Sequence, residues 1–186
     1  DKIDTIAGIF GVGLTPTGSQ DPYALRRAAQ GIVNTVVENG LSLDLGPVLA
    51  RALELHAGAL EQVDPGQIRM FFRMRLKNHL EEAGYRYDLV DAILGVSTLA
   101  FFDTARGARA LKEFSHTDGF EALVTGITRA ANLSSKSPGV TFDPGLLADE
   151  PEIRLAQALD RTEPEVRRQV DAREYLGALK NISGLR

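Results

Sequence analysis

At 186 residues the chain is long enough for one sizeable domain or two small ones that fold unaided. Its 44% hydrophobic and 25% charged residues are ordinary for a globular fold, and the lack of cysteine excludes disulfides and thiolate metal centres. The net charge of −4 is spread evenly, 11 basic and 13 acidic side chains over residues 1–110 and 10 and 12 over 111–186, which excludes a broadly basic surface and confines any nucleic-acid contact to a local patch.

Taken in chain order, Ile3, Ile6, Ala7, Phe10 and Leu14 recur at helical spacing and predict an amphipathic helix ending near Gly13. Gly8 and Gly11 on that helix weaken it unless another element packs closely there. Thr15 to Ser19 is turn chemistry, and Asp21-Pro22 predicts an N-cap with proline at the first helical position. Leu25, Ala28, Ala29, Ile32, Val33, Val36 and Val37 form the stripe of the second helix, which Gly40 stops. Gly46-Pro47 opens a third helix through Leu60. Asp64-Pro65 repeats the cap-plus-proline device and starts a long helix running to Gly84.

Further on, Tyr87 to Leu94 and Leu99 to Phe114 read as helices, and Asp118 caps one through Leu133. The stretch from Ser134 to Gly139 is the clearest loop. Asp143-Pro144, Thr162-Glu163-Pro164 and Asp171 read as three further starts, giving short helices to about Gly184. No sustained alternation of apolar and polar residues argues for a sheet. The expected fold is all-α, a multi-helix orthogonal or bundle arrangement in two helical subdomains. No apolar stretch approaches the ~20 residues that cross a bilayer, and no signal peptide is present, so the expected place is the cytoplasm and no membrane partner is expected. The chain opens without methionine inside an apolar pattern, as a piece of a longer polypeptide would.

Four strings carry a resemblance. The first is DKIDTIAGIFGVGLTPTGSQDPYALRRAA (Asp1 to Ala29), and the second is RMRLKNHLEEAGYRYDLVDAIL (Arg73 to Leu94). The weaker ones are GITRAANLSSKS (Gly126 to Ser137) and DAREYLGALKNISGL (Asp171 to Leu185). In this order they resemble the C-terminal portion of the β subunit of bacterial heterotetrameric glycyl-tRNA synthetases. The resemblance implies a division at 62/63. Residues 1–62 would complete an HD-like helical domain, and 63–186 would be a linker and partial anticodon-binding-like domain whose last helix is missing, leaving apolar surface uncovered. It also implies tRNA(Gly) and the α subunit as partners, with no DNA. The chain would contribute tRNA binding and α2β2 assembly to ATP-dependent charging of tRNA with glycine, without a catalytic site or cofactor of its own; the ATP is used by the whole enzyme. Two other readings stand beside this one: a relative of HD-type phosphohydrolases, and an architectural helical module that docks a partner subunit.

Candidate residues follow. Asp1 and Asp4 resemble the last metal-bearing helix of HD hydrolases, but a metal needs several converging ligands, and His56, His79 and His116 are scattered singly. Both carboxylates therefore read as complements to a helix N-terminus, and no metal site is expected. Arg69, Arg73 and Lys77, at i, i+4 and i+8, form a basic row beside Ile68, Phe72, Leu76 and Leu80. With Arg27 they are the candidate tRNA-phosphate contacts. Such a row also reads as a solvated helix face whose long stems cover the apolar edge. Arg26 borders the second helix's stripe and reads either as a phosphate contact or as the partner of Asp4 or Asp21. Arg75 falls with His79 in the core-side arc and is expected to need a carboxylate, Asp88 or Asp91, across the Gly84 break. Tyr85 and Tyr87 flank Arg86 and suit either base stacking or packing at the helix junction. Thr128, Arg129 and Asn132 stand where the resembling family has a more basic run. A Gly-rich phosphate loop, a Ser-His-Asp arrangement and a paired-His motif are missing, so nothing here assembles an adenylation site.

Overall fold

The computed structural model describes residues 1–16, 20–21, 23–56, 64–95, 99–136 and 143–185. Among them are nine α-helices and one 3-10 turn, with no strand. The helices are α1 (Lys2–Gly11), α2 (Leu25–Glu38), α3 (Leu45–His56), α4 (Pro65–Glu82), α5 (Tyr87–Leu94), α6 (Phe101–Phe114), α7 (Gly119–Ser134), α8 (Glu150–Asp171) and α9 (Tyr175–Ser183). The all-α reading is correct. No helix among the described residues is long and apolar enough to cross a membrane. The chain parts into two compact units, Asp1–Ala108 and Arg109–Arg186.

In the first unit each helix turns one apolar stripe inward. Ile6, Ala7 and Phe10 of α1 meet α2 and α3, and Leu25, Ala29, Val33 and Val36 of α2 meet α4. From α4 come Ile68, Phe72, Leu76 and Leu80, spaced at the 3–4-residue period that puts one face of a helix against its neighbours. The rings of Phe10, Phe71, Phe72 and Phe101 follow one another at centroid separations of 5.2, 6.3 and 5.7 Å. By packing, the first unit runs on past α4, since the buried face of α4 completes the core that α1, α2 and α3 begin.

The helix ends follow local chemistry. Asp64 caps α4 through its carboxylate, which accepts the Gly66 N–H at 2.8 Å, with Pro65 in the first turn. Gly84, at φ +78°, ends that run: its N–H reaches the Glu81 carbonyl and the Tyr85 N–H reaches that of Leu80. The start of α2 differs from the expected one. The helix begins at Leu25 after a left-handed Ala24 (φ 55°), and Asp21 caps it from four residues upstream. Its two carboxylate oxygens accept the N–H groups of Leu25 and Arg26 at 2.8 and 3.0 Å. Pro22 lies outside the described residues. Asp21→Ala is expected to cost about 1–2 kcal/mol, while Asp21→Asn, which keeps one acceptor, costs less; urea denaturation followed by circular dichroism measures both.

The second unit is thinner. α9 packs on α7 and α8, and the Phe114 and Phe120 rings meet edge to face at 6.2 Å. Neither α7 nor α8 has a buried residue, and Val124, Ile127, Leu133, Leu155, Leu159 and Val170 are exposed. Three expected helix starts are corrected here. Pro164 lies inside α8, which runs unbroken through it. The proline forfeits the hydrogen bond to the Asp160 carbonyl, but Asp160 is exposed, so solvent can satisfy that carbonyl. Across and beyond the proline, Glu163–Arg167 and Glu165–Arg168 pairs brace the helix at 2.6 and 2.7 Å. Asp171 closes α8 instead of opening a helix: Arg173 turns left-handed at φ 60°, and α9 starts at Tyr175. The true start of α8 is signalled by Asp149-Glu150-Pro151, an N-cap followed by a first-turn proline that the sequence reading missed. Asp143-Pro144 opens only the 3-10 turn Pro144–Leu146.

Candidate nucleic-acid interface

The basic row of α4 is real as spacing but not uniform as chemistry. Arg69 is exposed and Arg73 half-buried, and neither forms an ion pair among the described residues. Arg27, on the exposed face of α2, is likewise unpaired among them. Lys77 is committed. Its Nζ lies 2.6 Å from the Asp91 carboxylate and 3.8 Å from that of Glu81. The hydrogen bond to Asp91 raises the ammonium above the ordinary lysine value. This bond ties α4 to α5 across the Gly84 turn, and two carboxylates offset the charge that a phosphate would need.

The ion pair expected between Arg75 and Asp88 or Asp91 does not form. Asp91 takes Lys77, and Asp88 takes Arg86 through two N–H···O bonds. That pairing holds the Asp88 carboxyl below its usual range and Arg86 above its own. Helix geometry explains the exchange. Two residues along an α-helix are ~200° apart around its axis, so Lys77 faces α5 while Arg75 faces the opposite side. There the Arg75 guanidinium stands over the Phe71 ring, 5.5 Å from its centroid, a cation–π arrangement. Its Nε is buried with no hydrogen-bond partner. Burial lowers the Arg75 pKa, the charge of Arg26 lowers it further, and Asp21 opposes both.

Arg26, half-buried on α2, takes neither of its expected carboxylate partners; its Nη1 donates to the Gln20 carbonyl at 3.3 Å. Arg26 and Arg75 line one cleft of about 300 Å³ with Thr15, Met70, Phe71 and Met74. The sequence reading had both arginines but not their meeting, because it depends on how α2 crosses α4. Asp4 also has a partner that spacing alone did not reveal: its Oδ1 accepts from His56 Nε2 at 2.8 Å, joining α1 to α3. His79 faces α2, where its Nδ1–H and the Gln30 amide both donate to Asn34 Oδ1, at 3.0 and 2.9 Å. The expected Arg75 and His79 placement toward the core is thus right in direction, with Phe71 and Asn34 as partners.

Tyr85 packs at the edge of the core and Tyr87 is 74% exposed. Arg129 and Asn132 lie on the exposed α7, where the Thr128 hydroxyl donates to the Val124 carbonyl at 2.7 Å. His116 is exposed beyond α6. No group of three or more His, Asp or Glu converges among the described residues, so Asp1 and Asp4 gain no metal-ligand companions there. What the arrangement offers is the guanidinium groups of Arg27, Arg69 and Arg73, without an ion pair among the described residues, on exposed and half-buried helix faces suited to non-covalent recognition of anions.

Comparison with known proteins agrees with this picture. The family model described as glycyl-tRNA synthetase beta subunit matches residues 1–95. Over its whole length the chain is 39% identical to the glycine–tRNA ligase beta subunit of Moorella thermoacetica and 35% identical to that of Trichlorobacter lovleyi, covering 28% and 27% of those proteins. It is 40% identical to that of Halalkalibacterium halodurans over 87% of its length, covering 24% of that protein. The chain thus spans about a quarter of the length of the curated relatives it matches. On the family match, which takes in α1 through α5 and the whole row of α4, the chain belongs to the glycyl-tRNA synthetase beta subunit family.

Proposed function

We propose that this chain is a tRNA-handling part of a glycine–tRNA ligase. It contributes tRNA(Gly) binding and α2β2 assembly in the cytoplasm, while ATP use and glycine activation belong to other parts of the enzyme. The observation that carries the reading is identity of 35–39% along the entire chain with glycine–tRNA ligase beta subunits. Arg27, Arg69 and Arg73 are the phosphate contacts this reading favours, because they are unpaired among the described residues. Lys77 ranks below them, since a phosphate would have to displace Asp91. Mobility shifts with tRNA(Gly) over a salt series test it: unchanged affinity after neutralising the three arginines would remove them from the interface.

A second reading is supported by a separate observation. α7 and α8 leave Val124, Ile127, Leu133, Leu155 and Leu159 exposed, and an apolar surface of this kind suits contact with another polypeptide. On that account the helices chiefly dock the α subunit, and the chain captures α in the absence of tRNA.

A further inference from the structure

The geometry points to a phosphodiester site in the cleft between α2 and α4, where Arg26 and Arg75 together hold one backbone phosphate of an RNA strand. The inference rests on the RNA-handling reading and deepens it by naming residues outside the α4 row.

Two guanidinium groups line the same 300 Å³ cleft, and neither has a carboxylate ion-pair partner among the described residues. Like charges brought together without a direct ion-pair partner are costly, and an anion between them turns the repulsion into attraction. The one carboxylate that acts on Arg75, Asp21, pairs with neither guanidinium: its two oxygens accept the Leu25 and Arg26 backbone N–H groups, and its charge offsets the repulsion only in part. Arg26 uses only Nη1, on the Gln20 carbonyl, which leaves the rest of its fork for a ligand. The Arg75 Nε, which is buried, donates to no protein acceptor among the described residues.

The walls suit a nucleotide better than a bare ion. Phe71 presents its ring beneath Arg75, and Met70 and Met74, 55% and 42% exposed, border the opening. These apolar side chains can cover a ribose or the edge of a base while the two forks bind the phosphate oxygens bidentately. Burial and mutual repulsion both disfavour the charged form of Arg75, and both are relieved when a phosphate enters.

The test follows the Arg75 Nε–H resonance of the ¹⁵N-arginine-labelled chain during separate titrations with tRNA(Gly), inorganic phosphate and poly-L-glutamate. The expected result is a shift with tRNA and with phosphate, and none with polyglutamate. Arg75→Met keeps an unbranched side chain on this face of α4, and Arg26→Gln removes the guanidinium while leaving the backbone N–H that Asp21 accepts. Each is expected to weaken tRNA binding by up to about tenfold at 0.1 M salt, and the two together to reduce the log–log salt slope by about 0.9, the share of one phosphate. Arg75→Lys keeps the charge without the fork and restores only part of the loss. If the resonance stays still while tRNA binds through Arg27, Arg69 and Arg73, this site is overturned and the RNA reading stands. If the chain binds no tRNA, both are overturned. A shift with polyglutamate and not with tRNA assigns the cleft to a protein carboxylate and overturns the phosphate. Should Arg75→Met not fold, Arg26→Gln and the titration of the unsubstituted chain still decide the matter.

Discussion

Phe72→Ala is expected to lower the stability of the unit spanning Asp1–Ala108 by about 3–5 kcal/mol, the range for truncating a buried aromatic side chain. Phe72 is 1% exposed and lies between Phe71 and Phe101 in the ring series. It is also the middle of the α4 stripe that faces α2. Removing the ring loses its burial and leaves a cavity among side chains already held by several helices. Small domains have only about 5–15 kcal/mol in total, so the variant should unfold at much lower urea, and a substantial fraction should be unfolded at 37 °C. Phe72→Leu keeps most of the volume and should cost far less. Met70→Ala is the control on the same helix, since its side chain is 55% exposed; a change within about 0.5 kcal/mol is expected there. Far-UV circular dichroism through a urea titration reads all three. A Phe72→Ala midpoint equal to that of the parent chain would show that α4 does not complete this core.

Neutralising Arg27, Arg69 and Arg73 together to glutamine should produce the largest functional effect. Each phosphate contact contributes about 0.9 to the slope of log affinity against log salt. Three lost contacts should flatten the slope by about 2–3 and weaken tRNA(Gly) binding by roughly a few hundredfold at 0.1 M salt. The protein's stability should barely change, because these side chains make no ion pair among the described residues. Lys77→Gln is the informative contrast. Lys77 is held by Asp91 and Glu81, so its loss should leave the slope nearly unaltered while loosening the α4–α5 junction. Filter binding across 50–300 mM salt, with melting curves of each variant, separates the two effects. A Lys77 variant that loses affinity as steeply as Arg73→Gln would mean that tRNA displaces Asp91.

Both predictions depend on how far the sequence could be read. Helix positions in the first unit were legible because their signals are local. The stripe of α2 needs only side chains three and four apart on one turn of backbone, and the Asp64-Pro65 cap needs only its neighbours. The resemblance that named the family was legible for the same reason: strings such as TPTGSQDPYALRRAA carry it without any knowledge of packing. Errors arose where one local signal has two outcomes. Proline opens a helix after a cap but can also sit within one when the freed carbonyl meets solvent, and Pro164 took the second course. Asp171 carries a residue type that starts helices, yet it stands where the left-handed Arg173 ends one.

Partners are another matter. That α4 is amphipathic, that Arg75 and His79 turn toward the core side and that Arg69, Arg73 and Lys77 share a row were determined by the chain alone, through the 100° step of the helix. Which carboxylate meets which cation was decided by tertiary structure. α5 folds back beside Lys77 and supplies Asp91, α2 crosses beneath Arg75 and supplies Arg26, and α3 brings His56 to Asp4. Helix periodicity is written in contacts a few residues long. Ion pairs and clefts depend on the rotation and crossing of helices tens of residues apart, which only the assembled core sets.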